Sequence, residues 1–132
     1  MGKINAMIKG IGTDIVKVSR IGDMMARHSS RFLGRVFTPR EILQASNYKP
    51  EKQYFAARWA AKEAFSKALG TGIGEKCAWL DINVVSDLNG RPSLEISGTA
   101  LETAKLKGIE NIQVSISHED NYAIAFVVLE GD

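Results

Sequence analysis

A carboxylate in an apolar, glycine-rich stretch is costly unless it is paired, hydrogen-bonded or bound to a cation, and Asp14 sits in such a stretch, Gly10 to Val16. Glu63 poses the same question from the middle of the alanine-rich run Phe55 to Leu69. Each has an ordinary answer taken alone: Glu63 is four residues before Lys67, the spacing of a helical ion pair, and Asp14 is close enough to Ser19 to cap local backbone. Together the two carboxylates suit magnesium, which is commonly held by one or two carboxylates while water and substrate phosphates complete its octahedron. Lys62 and Lys67 on the same helical run, with Arg58 one turn before Lys62, would add positive charge beside that metal. The chemistry this set points to is work on a pyrophosphate.

Other candidates are weaker. Gly70-Thr71-Gly72-Ile73-Gly74 invites a nucleotide-loop reading, but it lacks the Lys-Ser/Thr ending of a P-loop and follows a helical run, so helix cap plus loop fits better. His118, in Ser117-His118-Glu119, could contact phosphate, act as a base, or simply occupy a surface turn. Cys77 has no histidine near it in sequence and reads as structural.

The elements that must position these residues are legible in outline. Ile4 to Val18 reads as extended, with Ile11, Thr13 and Ile15 on one face and Gly10, Gly12, Asp14 and Val16 on the other. Its glycines would admit another backbone or a ligand at close range. Ser19 is the expected N-cap of a helix to about Arg27, and a second short helical stretch surrounds Phe32 and Val36. Thr38-Pro39-Arg40-Glu41 has the form of a capping box opening a further helix. Pro50 precedes the principal helix, expected over Glu51 to Leu69 and closed by Gly70. Leu80, Ile82 and Val84 alternate as a strand, Asn89-Gly90 is a hairpin turn, and Leu94 to Ile96 returns, with Pro92 placing that partner at an edge. A helix from Thr99 to Lys107, a strand through Ile112, Val114 and Ile116, and a last apolar strand from Tyr122 to Leu129 complete the chain. The sum is an α+β domain, a mainly antiparallel sheet packed against a long central helix.

At 132 residues one domain is expected, and 45% hydrophobic against 24% charged residues argues against disorder or a fibrous repeat. A single cysteine, no secretory leader and no apolar run near the roughly 20 residues that cross a bilayer lead to the expectation of a cytoplasmic protein that uses no membrane. The net charge of +2 hides an asymmetry: Lys17 to Arg40 holds six basic residues against Asp23 alone, so this segment carries +5 and the remainder −3. Such a field suits an anionic partner, although a solvated helix face gives the same pattern.

Three blocks, GIGTDIVKVSRI from Gly10, FAARWAAKEAFSKALGTGIG from Phe55 and VSISHEDNYAIAFVVLE from Val114, closely resemble the bacterial holo-acyl-carrier-protein synthases, and Asn89-Gly-Arg-Pro92 matches as well. The Gly-x-Gly-x-Asp opening and the Trp/Phe-Ala-x-Lys-Glu-Ala helix recur together in phosphopantetheinyl transferases and rarely elsewhere. The resemblance covers almost all of the chain after Lys9, and for residues 1–7, which extend beyond the family's usual start, a disordered extension is expected. It implies the phosphopantetheinyl transferase fold, with Asp14 and Glu63 as Mg²⁺ ligands. Coenzyme A would be bound by Lys62, Lys67, Gly70, Thr71, Gly72 and Pro92, with His118 near the nucleotide 3′-phosphate. Acyl carrier protein would dock on Lys17, Arg20 and Arg27. Family members are usually homotrimers with the active site between subunits.

The reaction so implied is attack by a carrier serine on the β-phosphate of coenzyme A, transferring the 4′-phosphopantetheine arm and releasing adenosine 3′,5′-bisphosphate in fatty acid biosynthesis. Mg²⁺ and Lys62 would neutralise charge, and Glu63 or a water on the metal would take the serine proton. Two other readings stay open on the residues alone. A non-catalytic basic module binding an acidic protein or RNA would bind regardless of EDTA, and a phosphohydrolase would release the arm to water.

Overall fold

The computed structural model describes residues 6–132. Strand β1 (Met7–Lys17) leads into α1 (Val18–Val36), α2 (Pro39–Gln44) and the long α3 (Glu51–Leu69), after which β2 (Ile82–Ser86) and β3 (Pro92–Ile96) form a hairpin. Helix α4 (Gly98–Leu106) and the strands β4 (Ile109–His118) and β5 (Tyr122–Gly131) close the fold. Every strand pairing is antiparallel, but the strands fall into two sheets: β1-β5-β4, and the separate β2-β3 hairpin. The expected extension over 1–7 lies outside the described residues as far as residue 5, whereas Met7 is already in register with Gly131 of β5.

Helix α3 is the axis of the molecule. Alanines and other strong helix formers fill it, Pro50 sets the extended residue before it, and Gly70 ends it in the left-handed conformation (φ 88°), returning its N–H to the carbonyls of Ser66 and Lys67. It is buried on nearly every side, between β1 and β5 on one flank and α1 and the hairpin on the other. Phe55, Phe65 and Leu69 fill the core with the inward face of β5, Ala123, Ala125, Val127 and Leu129. Burying each of the large side chains contributes about 1.5–3 kcal/mol. The small residues set the spacing. A Cβ at Gly10 would lie 2.0 Å from the Ala68 carbonyl oxygen, and one at Gly12 2.1 Å from that of Ala64. The two glycines therefore admit the backbone of α3 itself, one of the two alternatives their position in the strand allowed.

Local signals place the smaller elements. The Thr38–Glu41 capping box forms in both directions, with Glu41 N–H donating to Thr38 Oγ1 (3.2 Å) and Thr38 N–H to Glu41 Oε1 (2.8 Å). The hairpin turns at Asp87 to Arg91, where Asp87 Oδ1 accepts from Asn89 and Arg91 N–H. Three details differ from the sequence reading. Helix α1 starts at Val18 with Lys17 as N-cap and no side-chain cap, because the chain turns out of β1 before Ser19. Its two expected segments are joined through one kink at Ser29 (φ 48°, ψ −130°). Leu80 is exposed within a one-turn 3₁₀ segment ahead of β2, held by Asp81, whose carboxylate accepts from Ala78 N–H, Thr99 Oγ1 and Ala100 N–H.

Candidate active site

The close approach of β1 to α3 builds the site. With Gly10 and Gly12 against the backbone at Ala68 and Ala64, the next inward residue of β1, Asp14, comes beside the one strip of α3 that is not buried. Lys67 donates to Asp14 Oδ1 (3.0 Å) and to the Thr13 carbonyl (3.1 Å). So Lys67 pairs with Asp14, fifty-three residues away, in place of the helical Glu63 partner that spacing alone suggests, and Asp14 caps no backbone near Ser19. The Asp14 carboxylate is 11% exposed, and its second oxygen, Oδ2, is buried with no hydrogen-bond partner. Glu63 shares this space. Burial raises its pKa above the ordinary carboxylate range and the Asp14 charge raises it further, while Lys67 and Arg20 pull the other way.

An orphaned carboxylate oxygen beside a second carboxylate that resists ionising is an anionic site short of positive charge. One ammonium at Lys67 does not satisfy it. A divalent cation taking oxygen from Asp14 and Glu63 fits this donor set, and no cluster of three or more His, Cys, Asp or Glu side chains competes for a metal among the described residues.

Lys62 is not brought to this site. Its side chain has no solvent exposure; the ammonium lies on the core side of α3, 2.8 Å from Glu41 Oε1 and hydrogen-bonded to the carbonyls of Val36 (2.7 Å) and Trp79 (3.2 Å). Burial lowers its pKa, opposed by Glu41. The expectation that Lys62 neutralises phosphate is corrected on that ground: its three donors are spent inside the protein. Glu41, buried in the same pair, was visible in sequence only as a capping residue.

Beyond α3 the chain turns through Gly70, Thr71 and Gly72, whose N–H groups all converge on the Ser66 carbonyl. Gly70 and Thr71 line a cleft against α4 together with Lys76, Thr103 and Lys107, and Lys107 Nζ donates to the last carbonyl of α3 at Leu69 (2.7 Å). Pro92 and His118 lie in a different cleft of about 280 Å³, with Lys49, Gln53, Ser86 and Arg58. Arg58 therefore does not add its charge beside Asp14. Its guanidinium stacks 4.0 Å over the Tyr54 ring and reaches Ser86 Oγ (3.4 Å), and its buried Nε has no partner. Sequence reasoning placed Arg58 by helix position alone; the signal that could have relocated it is the pair of tyrosines at 48 and 54.

Lys17, Arg20 and Arg27 are exposed along the β1–α1 corner and α1, and Arg31 and Arg35 continue the row. Arg20 leans over the Trp59 ring (5.5 Å), and its charge is felt at Glu63, so the basic row runs into the carboxylate site. Cys77 is fully buried, its thiol pushed up to about 11 chiefly by burial, far from a nucleophile's range. No helix among the described residues is long and apolar enough to cross a membrane.

The profile of the 4′-phosphopantetheinyl transferase superfamily matches residues 10–127. The holo-[acyl-carrier-protein] synthase of Halothermothrix orenii is 48% identical over 94% of this chain and 98% of its own. Among solved structures, the holo-[acyl-carrier-protein] synthase of Neisseria meningitidis superposes with a TM-score of 0.87 at 37% identity, covering 93% of this chain and 98% of that one. The Helicobacter pylori synthase, solved in complex with coenzyme A, superposes with a TM-score of 0.80 at 36% identity, covering 90% and 98%. Fold, site and similarity over nearly the whole chain agree: this protein belongs to the 4′-phosphopantetheinyl transferase superfamily.

Proposed function

We propose that this enzyme transfers the 4′-phosphopantetheine arm of coenzyme A to a serine of apo-acyl carrier protein, releasing adenosine 3′,5′-bisphosphate and supplying holo-carrier for fatty acid biosynthesis. The observation that carries the reading is the Asp14–Glu63–Lys67 cluster with its unpartnered Asp14 oxygen, in a chain whose relatives are holo-acyl-carrier-protein synthases and are solved with coenzyme A. Asp14 and Glu63 would hold Mg²⁺, which when bound withdraws charge from the pyrophosphate. Lys67, half of whose side chain is open to solvent, would carry the phosphate contact without Lys62. Glu63 would take the proton of the attacking serine hydroxyl. The bond from that oxygen to the β-phosphorus forms as the bond to the bisphosphate leaving group breaks. Gly70, Thr71 and Gly72 would border the arm, and the Arg58–His118–Pro92 cleft suits the nucleotide 3′-phosphate, with Arg58 added to the residues expected there.

Those two clefts lie on different parts of one chain, which supports an active site completed between subunits of a homotrimer. The outward face of β1 and β5 supports the same assembly: Ile15 pairs with Ile124 and Thr13 with Phe126, with Ile11 and Tyr122 beside them, and the large apolar residues among these are 40–61% exposed. A contiguous apolar face of this kind marks an interface. The carrier would meet Lys17, Arg20 and Arg27. A cytoplasmic location goes with the single unpaired, buried cysteine.

The test is to incubate the protein with coenzyme A, Mg²⁺ and apo-acyl carrier protein and weigh the carrier. A mass gain of one phosphopantetheine arm, lost with EDTA and in Asp14→Ala and Glu63→Ala, is expected. A carrier that binds but keeps its mass would return the protein to a basic binding module, and arm released without a carrier would make it a phosphohydrolase.

A further inference from the structure

Among the described residues the buried Glu41–Lys62 pair is the most densely bonded polar node outside the site. Beyond its three bonds, described above, Glu41 Oε1 accepts Thr38 N–H (2.8 Å) and Oε2 accepts Val84 N–H (2.7 Å). The node thus gathers the last residue of α1, the start of α2, the turn at Trp79, β2 and α3 at a single point. Buried ion pairs are weak contributors to stability, because desolvation offsets their attraction and well-packed apolar replacements often do as well. What such a pair supplies is geometry: each bond has a direction, and an apolar contact at the same place has none.

Two features give that geometry a purpose. Lys62 immediately precedes Glu63, so the residue that grips Val36 from one side of α3 is covalently next to the carboxylate that faces Asp14 from the other. Val36 ends α1, and the kink at Ser29 separates Arg20 and Arg27 from the half that carries Arg31 and Arg35, so that second half of the basic row needs its own anchor. We propose that Glu41 and Lys62 are positioning residues that lock the end of the basic helix α1 to the site helix α3, and so set where a docked carrier presents its serine to Glu63. This rests on the transferase reading above. It assigns Lys62 to alignment of the protein substrate, with no contact to phosphate.

The two roles separate in steady-state kinetics. Lys62→Met alone strands a buried carboxylate, so the informative variant is the neutral pair Glu41→Gln with Lys62→Met, its fold checked by circular dichroism and thermal melting. The expected result is a kcat/KM for apo-acyl carrier protein lowered about tenfold or more, since a misplacement near 1 Å costs up to about a hundredfold in rate. Coenzyme A affinity, measured by calorimetry with Mg²⁺, stays within about twofold of wild type. Weakened coenzyme A binding with an unchanged carrier kcat/KM would return Lys62 to the phosphate and overturn the proposal, as would a folded variant with wild-type values throughout. Should the double variant not fold, Lys62→Arg, which keeps a cation against Glu41 but changes its reach to Val36, is read the same way; failure of both to fold would make the pair a stability element and end the proposal. A wild-type protein that modifies no carrier would instead remove the transferase reading itself.

Discussion

Replacing Gly12 with alanine tests the geometric claim on which the site depends. A Cβ there would sit 2.1 Å from the Ala64 carbonyl oxygen and 2.6 Å from the Ala68 amide nitrogen, where 3.4 Å begins ordinary contact. Neither atom can swing aside, because both belong to the backbone of a helix buried on nearly every side. The strand must therefore back away from α3 by about 1 Å, at an overpacking cost of about 1–3 kcal/mol. For a domain of this size that lowers the melting midpoint by several degrees. Two residues on, Asp14 moves with the strand, lengthening its 3.0 Å bond to Lys67 and parting it from Glu63. A 1 Å displacement at reacting groups costs up to about a hundredfold in rate. Scanning calorimetry and carrier-charging rates over a Mg²⁺ titration would show a lowered midpoint, a raised Mg²⁺ requirement and a reduced rate together. The decisive arm is Gly12→Ala with Ala64→Gly. Trimming the Ala64 methyl leaves its carbonyl in place, so no rescue is expected. Full rescue, or a Gly12→Ala protein with wild-type melting and metal dependence, would refute the argument.

Glu63→Gln should lower the charging rate by about a hundredfold or more, as expected for loss of a general base. The same change should raise the melting midpoint of the metal-free protein at neutral pH: the folded-state pKa of Glu63 is raised, so its contribution is present below pH 4.5 and lost as pH rises through the folded value. That advantage of Gln should vanish in acid melts, and an advantage independent of pH would sink the reasoning. Arg27→Glu should raise the carrier KM several-fold in low salt and less in high salt, whereas Arg20→Glu should also disturb the rate at saturating carrier, because Arg20 acts on Glu63 and stacks on Trp59. Equal effects of the two in stopped-flow assays would contradict this. Cys77 should resist a thiol reagent in the native protein and react on denaturation, as a fully buried thiol with a pKa near 11 requires; prompt native labelling would disprove it.

Elements whose boundaries are encoded by neighbouring residues were readable from the chain: Thr38 to Glu41 as a capping box, Pro50 and Gly70 as the limits of α3, Asn89-Gly90 as a turn. Asp14 and Glu63 were paired from the sequence by the fit of two carboxylates to magnesium, although Ser19 and Lys67 offered each an ordinary local partner. The cations were another matter. Lys62, Lys67 and Arg58 share one helix and look interchangeable in a one-dimensional reading, yet they point to the core, the site and a separate cleft. What sorts them is partners far off in sequence, Glu41, Asp14 and the tyrosines at 48 and 54, and spacing within a helix carries no information about those. The kink at Ser29 likewise has no glycine or proline to announce it.

Past Gln53, α3 reaches solvent at only two positions, Glu63 and Lys67, and every other residue to Leu69 is buried. For anyone building a substitution library on this helix, the consequence is that almost no position is idle. A change at Ala57, Ala61 or Phe65 will register as lost folded protein, and one at the two open positions as lost turnover in protein that still folds. Soluble yield and specific activity, measured side by side, would therefore draw the outline of the active site on this helix without a ligand ever being added.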